Sequence, residues 1–420
     1  MFAPSRDAAF EIIDAIASSP DARSAVEISL SPTMKRKFHS VYKGIERTRV
    51  DEENLRSLLV RQAEASGELT FDGYAIYALD HSPYPRRAAH TVSDRGYVHG
   101  ADGRVIGHRY SLLGRVMHSS GSWVGVVDCE RIATHQSPGQ VGAVQIERLK
   151  AKAKLPQIIT ADSEYPIAGI LDCADERTRL LIRLRGSNTL YAEPEPRPAA
   201  KRGASAKHGS KLKLNRPETL KFPTYQTSVE EANGGRTLIS VWERVHFKSR
   251  PGHALSIVRV ECFKADGQPC FETPLWLVWT GPAEMDWATL WKVYLKRFRV
   301  ECVHQFTKNS LAWTRGRFGY TDREERWTWL VLLAYWQLLL AAALVREVYR
   351  PWEKPTPKGQ LPTPARVQRA YLKIYSEIGS PALPPIKRGI PPGRATGYRP
   401  PPRPRYKVVY KRRGSAVTTL

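Results

Sequence analysis

The stretch YLKRFRVECVHQFTK, residues 294–308, decides how the rest of the chain is read. Within it Tyr294, Arg297, Glu301 and Lys308 stand at offsets of 0, 3, 7 and 14 residues. At roughly 100° per residue these offsets fall within an arc of about 60°, so a continuous helix over Asp286–Asn309 would project all four side chains from one face. Pairing at i, i+4 accounts for Arg297 beside Glu301, but not for Tyr294 or for Lys308 two turns further on. An aromatic hydroxyl, a guanidinium and an ammonium spread along about 21 Å of helix suit a phosphate chain passing a metal-binding carboxylate. The plainer alternative is an amphipathic core helix.

Working outward, the 420-residue chain carries 65 Lys and Arg against 41 Asp and Glu, a net charge of +24. That excess points to a polyanion, nucleic acid or an acidic membrane surface, and says nothing of fold. The five cysteines, Cys129, Cys173, Cys262, Cys270 and Cys302, are scattered singly with no C-x-x-C pair. This spacing predicts neither a zinc site nor a disulfide framework, and fits a reducing cytoplasm. Met1–Phe10 contains Asp7 and no apolar run after its basic residue, which speaks against a secretory signal. Trp327–Val345, with only Thr328 and Gln337 polar, reaches the lower length of a membrane span. Because it is the only such run and the acids of Asp322–Arg326 adjoin it, a helix buried inside a large domain is the better reading, with no membrane partner.

Along the chain, Ala8–Ala17 and Glu52–Ala65 have helical periodicity, and Met34–Arg49 between them is basic, a solvated face or a surface for DNA. From Tyr74 the period changes. Tyr74–Leu79 reads as a strand ending at Asp80, followed by strands at His108–Met117 and Ser122–Val127. A helix at Val141–Lys152, a strand at Pro156–Thr160, a short helix at Pro166–Leu171 and a strand at Thr178–Leu184 come next. That order resembles an RNase H-like core, a mixed sheet with helices on its faces. Glu193–Pro223 reads as a mobile basic loop, and Thr237–Phe247, Ala254–Phe263 and Pro274–Thr280 as strands of a β-rich insertion, the last two separated by a turn at Asp266-Gly267. Trp276 and Trp279, three apart on one strand, would face opposite sides of the sheet; two core tryptophans, or one free to stack on an unpaired base, are the alternatives. Pro351–Leu420 holds 14 prolines and 15 Lys or Arg against 2 Glu, so apart from a helix near Pro364–Glu377 it should be extended.

Tyr294, Arg297, Glu301 and Lys308 resemble, residue for residue and gap for gap, the Y-R-E-K signature of DDE transposases from a large group of bacterial cut-and-paste insertion sequences. The resemblance implies that Glu301 is the third catalytic acid of an RNase H-like core. Asp80-His81-Ser82 and Asp162-Ser163-Glu164-Tyr165 resemble the D-x-S and D-x-x-Y patterns of the first two acids. Asp80 ends the first strand and Asp162 follows the fourth, where such a sheet brings both toward a late helix. Asp128, which also ends a strand, is the competitor for the first position, but it leaves too few strands before the next helix. Asp80, Asp162 and Glu301 are thus expected to hold two Mg²⁺ ions, with Mn²⁺ able to substitute, and Tyr294, Arg297 and Lys308 to grip the DNA backbone. Hard cations take oxygen ligands, and a pair about 3.5–4 Å apart suits in-line displacement at phosphorus.

The expected architecture is α/β: a helical N-terminal lobe over 1–72, the first part of the core over 73–186, the insertion over 187–285, the last part of the core over 286–349 and the basic tail over 350–420. The resemblance further implies double-stranded DNA as partner, both element ends and target, a homodimer in the DNA complex, a bacterial cytoplasmic, nucleoid-associated location, and water then a freed 3′-OH as nucleophile. A transposase-derived DNA-binding protein without activity and an RNase H-like nuclease without strand transfer are the alternatives.

Overall fold

The computed structural model describes residues 2–100, 103–195, 206–386, 389 and 392–410. The N-terminal residues form a two-residue pair, β1 (Phe2–Ala3) with β2 (Arg49–Val50), and the helices α1 (Arg6–Ser18), α2 (Ala25–Ile28), α3 (His39–Arg47) and α4 (Glu52–Ser66). The strands that follow are β3 (Thr70–Phe71), β4 (Tyr74–Pro85), β5 (Gly96–Gly100), β6 (Gly103–Val116) and β7 (Val124–Ile132). Helix α5 (Pro138–Lys150) leads to β8 (Gln157–Ala161) and β9 (Thr178–Leu184). The local chemistry matches: α5 opens on a capping box between Ser137 and Gln140 with Pro at its first turn.

These strands lie in the order β7-β6-β4-β8-β9, with β4, β6 and β7 antiparallel and β8 and β9 parallel to β4. This is a mixed α/β sheet flanked by helices, with the strand order of an RNase H-like core. The insertion then extends the same sheet. Its strands β10 (Thr189–Ala192), β11 (Lys211–Lys213), β12 (Tyr225–Glu230), β13 (Arg236–His246), β14 (Leu255–Phe263) and β15 (Leu275–Trp279) form an antiparallel array whose last member, β15, pairs with β9. The chain returns through α6 (Trp287–Leu295), α7 (Arg299–Asn309) and α8 (Thr321–Ala341), and ends its regular structure with α9 (Pro364–Ile378). Helix α1 packs on α8 and α9, and α7 packs on β4.

Several expectations need correction. The helix across Asp286–Asn309 is not continuous: a 3₁₀ turn at Lys296–Phe298 separates α6 from α7 and tightens the chain under Arg297. β4 does not stop at Asp80 but runs five residues beyond it to Pro85, because β6 is long enough to keep pairing with it as far as Gly107. Pro166–Leu171 forms 3₁₀ turns at Ile167–Gly169 and Leu171–Cys173 rather than an α-helix. Part of the presumed basic loop is structured, since β11 pairs with β10; its residues 196–205 lie outside the described residues. Cys262 and Cys270 are joined in a disulfide, because the turn containing Gly267 folds the chain back after β14. The sequence shows the turn at Asp266-Gly267, but not the approach of the two cysteines that it brings about. Trp327–Val345 falls largely in α8, most of whose apolar residues are buried, and among the described residues no helix is long and apolar enough to cross a membrane.

Candidate active site on the central strands

Strand alternation sets the direction of the first acid. Leu79 faces α5, where it lies against Gly142, so Asp80, one residue on, points to the opposite side, that of α7. β4 and β8 run parallel with Leu79 opposite Ala161. One step further along each chain stand Asp80 and Asp162, next in line as neighbours. β8 ends at Ala161, so Asp80 has no paired residue on that strand. Asp162 accepts the backbone N–H of Glu164 at 2.8 Å, and the turn is closed by Tyr165, whose hydroxyl lies 2.7 Å from that of Ser111. His81 sits over Tyr165 and meets Glu164 at 2.8 Å.

The second half of the site comes from the 3₁₀ turn and α7. Arg297, 3% exposed, reaches Asp80 at 3.6 Å and Glu301 at 3.3 Å. His304, one turn beyond Glu301, lies 3.5 Å from the other Asp80 oxygen and stacks on the Trp313 indole. Lys308 donates to the Ser82 hydroxyl at 2.6 Å, two residues along β4 from Asp80. Tyr294 is buried beneath the Arg297 guanidinium, which lies 5.8 Å from its ring centre. Arg297 therefore joins Asp80 to Glu301, and Lys308 touches the same strand. Tyr294 supports the guanidinium from below rather than facing an open groove.

The surroundings of the two aspartates push their carboxyls in opposite directions. Burial alone would raise the Asp80 carboxyl, but His304, Arg297 and His81 outweigh it and hold it below the ordinary carboxylate range. Burial lifts the Asp162 carboxyl above its ordinary value, with the neighbouring Asp80 charge adding to the lift against Glu164 N–H and Arg297. Two carboxyls whose surroundings push them in opposite directions are a frequent mark of a functional pair.

The donor chemistry fits a hard divalent cation: Asp80 and Asp162 offer oxygen atoms on adjoining chains, and Glu301 is held by the same guanidinium as Asp80. As the side chains stand, no group of three His, Cys, Asp or Glu among the described residues is gathered closely enough to hold one ion. Asp128 has other partners. It is buried against Arg56 at 2.6 Å and Arg148 at 3.6 Å, in a cluster shared with Glu130.

His304 was not singled out from sequence, although it lies within the quoted stretch at i+3 from Glu301 and i+7 from Arg297, a spacing that puts it on the same face. Both tryptophans of β15 are buried: Trp276 packs on Trp242, and Trp279 donates its indole N–H to Pro282 O at 2.9 Å. β15 is covered on both faces, so neither ring is free to stack on a base. On the N-terminal side, Arg47, Arg49 and Arg326 line a cleft of about 700 Å³ with Pro4 and Glu46.

Residues 3–110 match the model of a family described as DDE superfamily endonuclease. The matched span includes Asp80 and ends before Asp162 and Glu301, and it supports a DDE-type transposase or nuclease relationship for that part of the chain. No curated protein shows a significant match to the chain.

Proposed function

We propose that this chain is a DNA transposase that cuts the ends of its element and joins the freed 3′-OH to target DNA by metal-dependent phosphoryl transfer. The observation that carries the reading is the neighbouring of Asp80 and Asp162 across the parallel β4–β8 pair, with Glu301 held to Asp80 through Arg297. In this reading Asp80, Asp162 and Glu301 hold Mg²⁺ or Mn²⁺, which when bound supplies charge stabilisation to the attacking and leaving oxygens at phosphorus. The protein's own part is to fix the carboxylates on β4, just past the end of β8 and on α7, and to hold the DNA backbone with cations. The Y-R-E-K resemblance supports strand transfer beyond simple cutting.

The test uses purified protein, Mg²⁺ or Mn²⁺, and duplexes made from the DNA that flanks its own gene. Cutting at a fixed position followed by joining to a second duplex is the expected result. Cutting without joining favours a nuclease of the same core, and binding without cutting in either metal rejects an active enzyme.

Two expectations concern grip. Lys308→Ala should weaken DNA binding and slow cutting together, with part of the rate recovered at higher protein concentration, because Lys308 reaches β4 through Ser82 and offers no ligand to a metal. A rate loss that added protein leaves untouched would instead put Lys308 in the chemical step. The tail needs a cut placed by the fold. Helix α9 buries Val367, Tyr371 and Ile374 against α1 and α8, so deletion from Pro351 would expose core. Removing residues 380–420, which carry ten Lys or Arg and no Asp or Glu, leaves α9 in place. The shortened protein should show a shallower dependence of DNA affinity on salt, by about 0.9 in log–log slope for each phosphate that the protein no longer neutralises. An unchanged slope means this segment holds no DNA. It does contact its own protein: Tyr406 N–H donates to His90 O at 2.8 Å and Val409 N–H to Arg95 O at 2.7 Å.

A further inference from the structure

Two acids of the candidate site, Asp80 and Glu301, face protein cations. Arg297 lies between Asp80 and Glu301, His304 flanks the second oxygen of Asp80, and Lys308 reaches Ser82 on the same strand. The electrostatic reason is direct. Carboxylates on adjoining strands repel one another, and a buried one left without a partner is strongly destabilising. A guanidinium placed among them answers that need and its own burial at once.

The same arrangement has a second consequence. A dication and a buried guanidinium cannot share one set of oxygens at about 4 Å separation without strong repulsion in a poorly screened site. As long as Arg297 engages Asp80 and Glu301, the three carboxylates do not gather around a single point, in agreement with the absence of any three-donor group among the described residues. The hold is also loose. Its contacts of 3.6 and 3.3 Å are longer than the roughly 2.7–2.9 Å of a tight charge-assisted bond. The Arg297 Nε–H, though buried, has no hydrogen-bond partner, so the guanidinium keeps an unused donor while it sits among the acids.

We propose that Arg297 is the resting countercharge of the acidic site, and that a divalent cation is admitted only when a competing anion, the DNA phosphate, draws Arg297 off Asp80 and Glu301. The phosphate is the fitting competitor because it offers a planar guanidinium two parallel bonds, better than either long contact it replaces. Metal and DNA then promote each other's binding through one side chain, as linkage requires. The proposal rests on the reading of Asp80, Asp162 and Glu301 as metal ligands given above.

Mn²⁺ binding to the full chain without DNA tests it, followed by the paramagnetic resonance signal of free Mn²⁺ and by thermal unfolding. Arg297→Gln is expected to bind Mn²⁺ about tenfold more tightly than the wild type, within the usual span of coupling between linked sites. Adding Asp80→Asn to that variant should remove the gain. In metal-free buffer Arg297→Gln should unfold at a lower temperature than the wild type, and Mn²⁺ should raise its midpoint while leaving that of the wild type nearly unmoved. If Arg297→Gln does not fold, Arg297→Lys keeps one cation without the second arm toward Glu301 and should show a smaller gain of the same sign. The proposal is overturned if the substituted protein binds Mn²⁺ no more tightly than the wild type, or if the gain survives Asp80→Asn. Cutting of duplex DNA by the wild type, lost in Asp80→Asn, is scored separately. Cutting without the Mn²⁺ gain sinks the countercharge alone, and the gain without cutting sinks the reading of function alone.

Discussion

Asp80→Asn, Asp162→Asn and Glu301→Gln should each reduce metal-dependent cutting of duplex DNA by more than about a hundredfold, since loss of even a supporting group around a metal brings losses approaching that size. Each change keeps the side chain's shape and removes one negative charge. DNA binding should survive, because removing a negative charge does not weaken the protein's attraction for phosphate. The three substitutions differ in what they leave behind. Asp80→Asn removes the partner of Arg297 and His304 at a buried position, so its stability should fall, whereas Glu301 is half exposed and Glu301→Gln should fold almost as the parent does. Asp128→Asn is the control. It will lose stability, because Arg56 beside it is buried and keeps only Glu52 and Glu130 as carboxylate partners, but cutting per folded molecule should persist. Cutting and thermal unfolding measured on the same preparations separate the two effects. Near-normal cutting by Glu301→Gln, or an inactive Asp128→Asn beside an active Asp80→Asn, would remove the assignment.

The second large effect lies away from the candidate site. Glu324 on α8 is fully buried and takes Arg86 at 2.6 Å, His108 at 2.6 Å and the Tyr110 hydroxyl at 3.2 Å. Glu324→Gln turns one of the two acceptor oxygens into a donor, which then faces either the Arg86 guanidinium or the His108 and Tyr110 pair, and leaves the Arg86 charge buried without its carboxylate. The expected cost is about 3–5 kcal/mol, as for other broken buried pairs. Burial would raise the Glu324 carboxyl, yet His108 and Arg86 together hold it below its ordinary value. A carboxyl depressed in the folded state contributes stability that is full above its unfolded value near 4.5 and is lost as pH falls through the folded value. Urea unfolding across pH should therefore show the parent's advantage over Glu324→Gln at neutral pH and its decline in acid. A gap of equal size at every pH would mean that the loss is one of packing and not of charge. Because α8 lies against β7, α1 and α9, the substitution should loosen the N-terminal helices and the core together.

Much of this was legible in the sequence because it is local. β9 occupies Thr178–Leu184 as expected, α4 follows the periodicity of Glu52–Ala65 to within a residue, and the strand–helix–strand order from Tyr74 to Leu184 is that of the observed sheet. The spacing of Tyr294, Arg297, Glu301 and Lys308 brought one short region into focus, and that region does lie on β4. The strands at β5, β10, β11 and β12 escaped notice, since such short segments carry weak alternation and are held by their neighbours.

By itself the sequence determined which segments alternate with period two, which with period 3.6, where turns interrupt them, and that a net +24 chain should meet a polyanion. Only the tertiary structure decided what stands beside what. It carried β4 past Asp80, ended β8 at Ala161, set Arg297 between Asp80 and Glu301, and turned His304 onto Asp80. It also closed Cys262 on Cys270 and buried Trp276 and Trp279 by laying β15 between β14 and β9. The reason is range: period and turn chemistry are written within a few residues. The meeting of Asp80 with a guanidinium more than two hundred positions away depends on strand register and on a 3₁₀ turn, which are set by packing across the whole sheet.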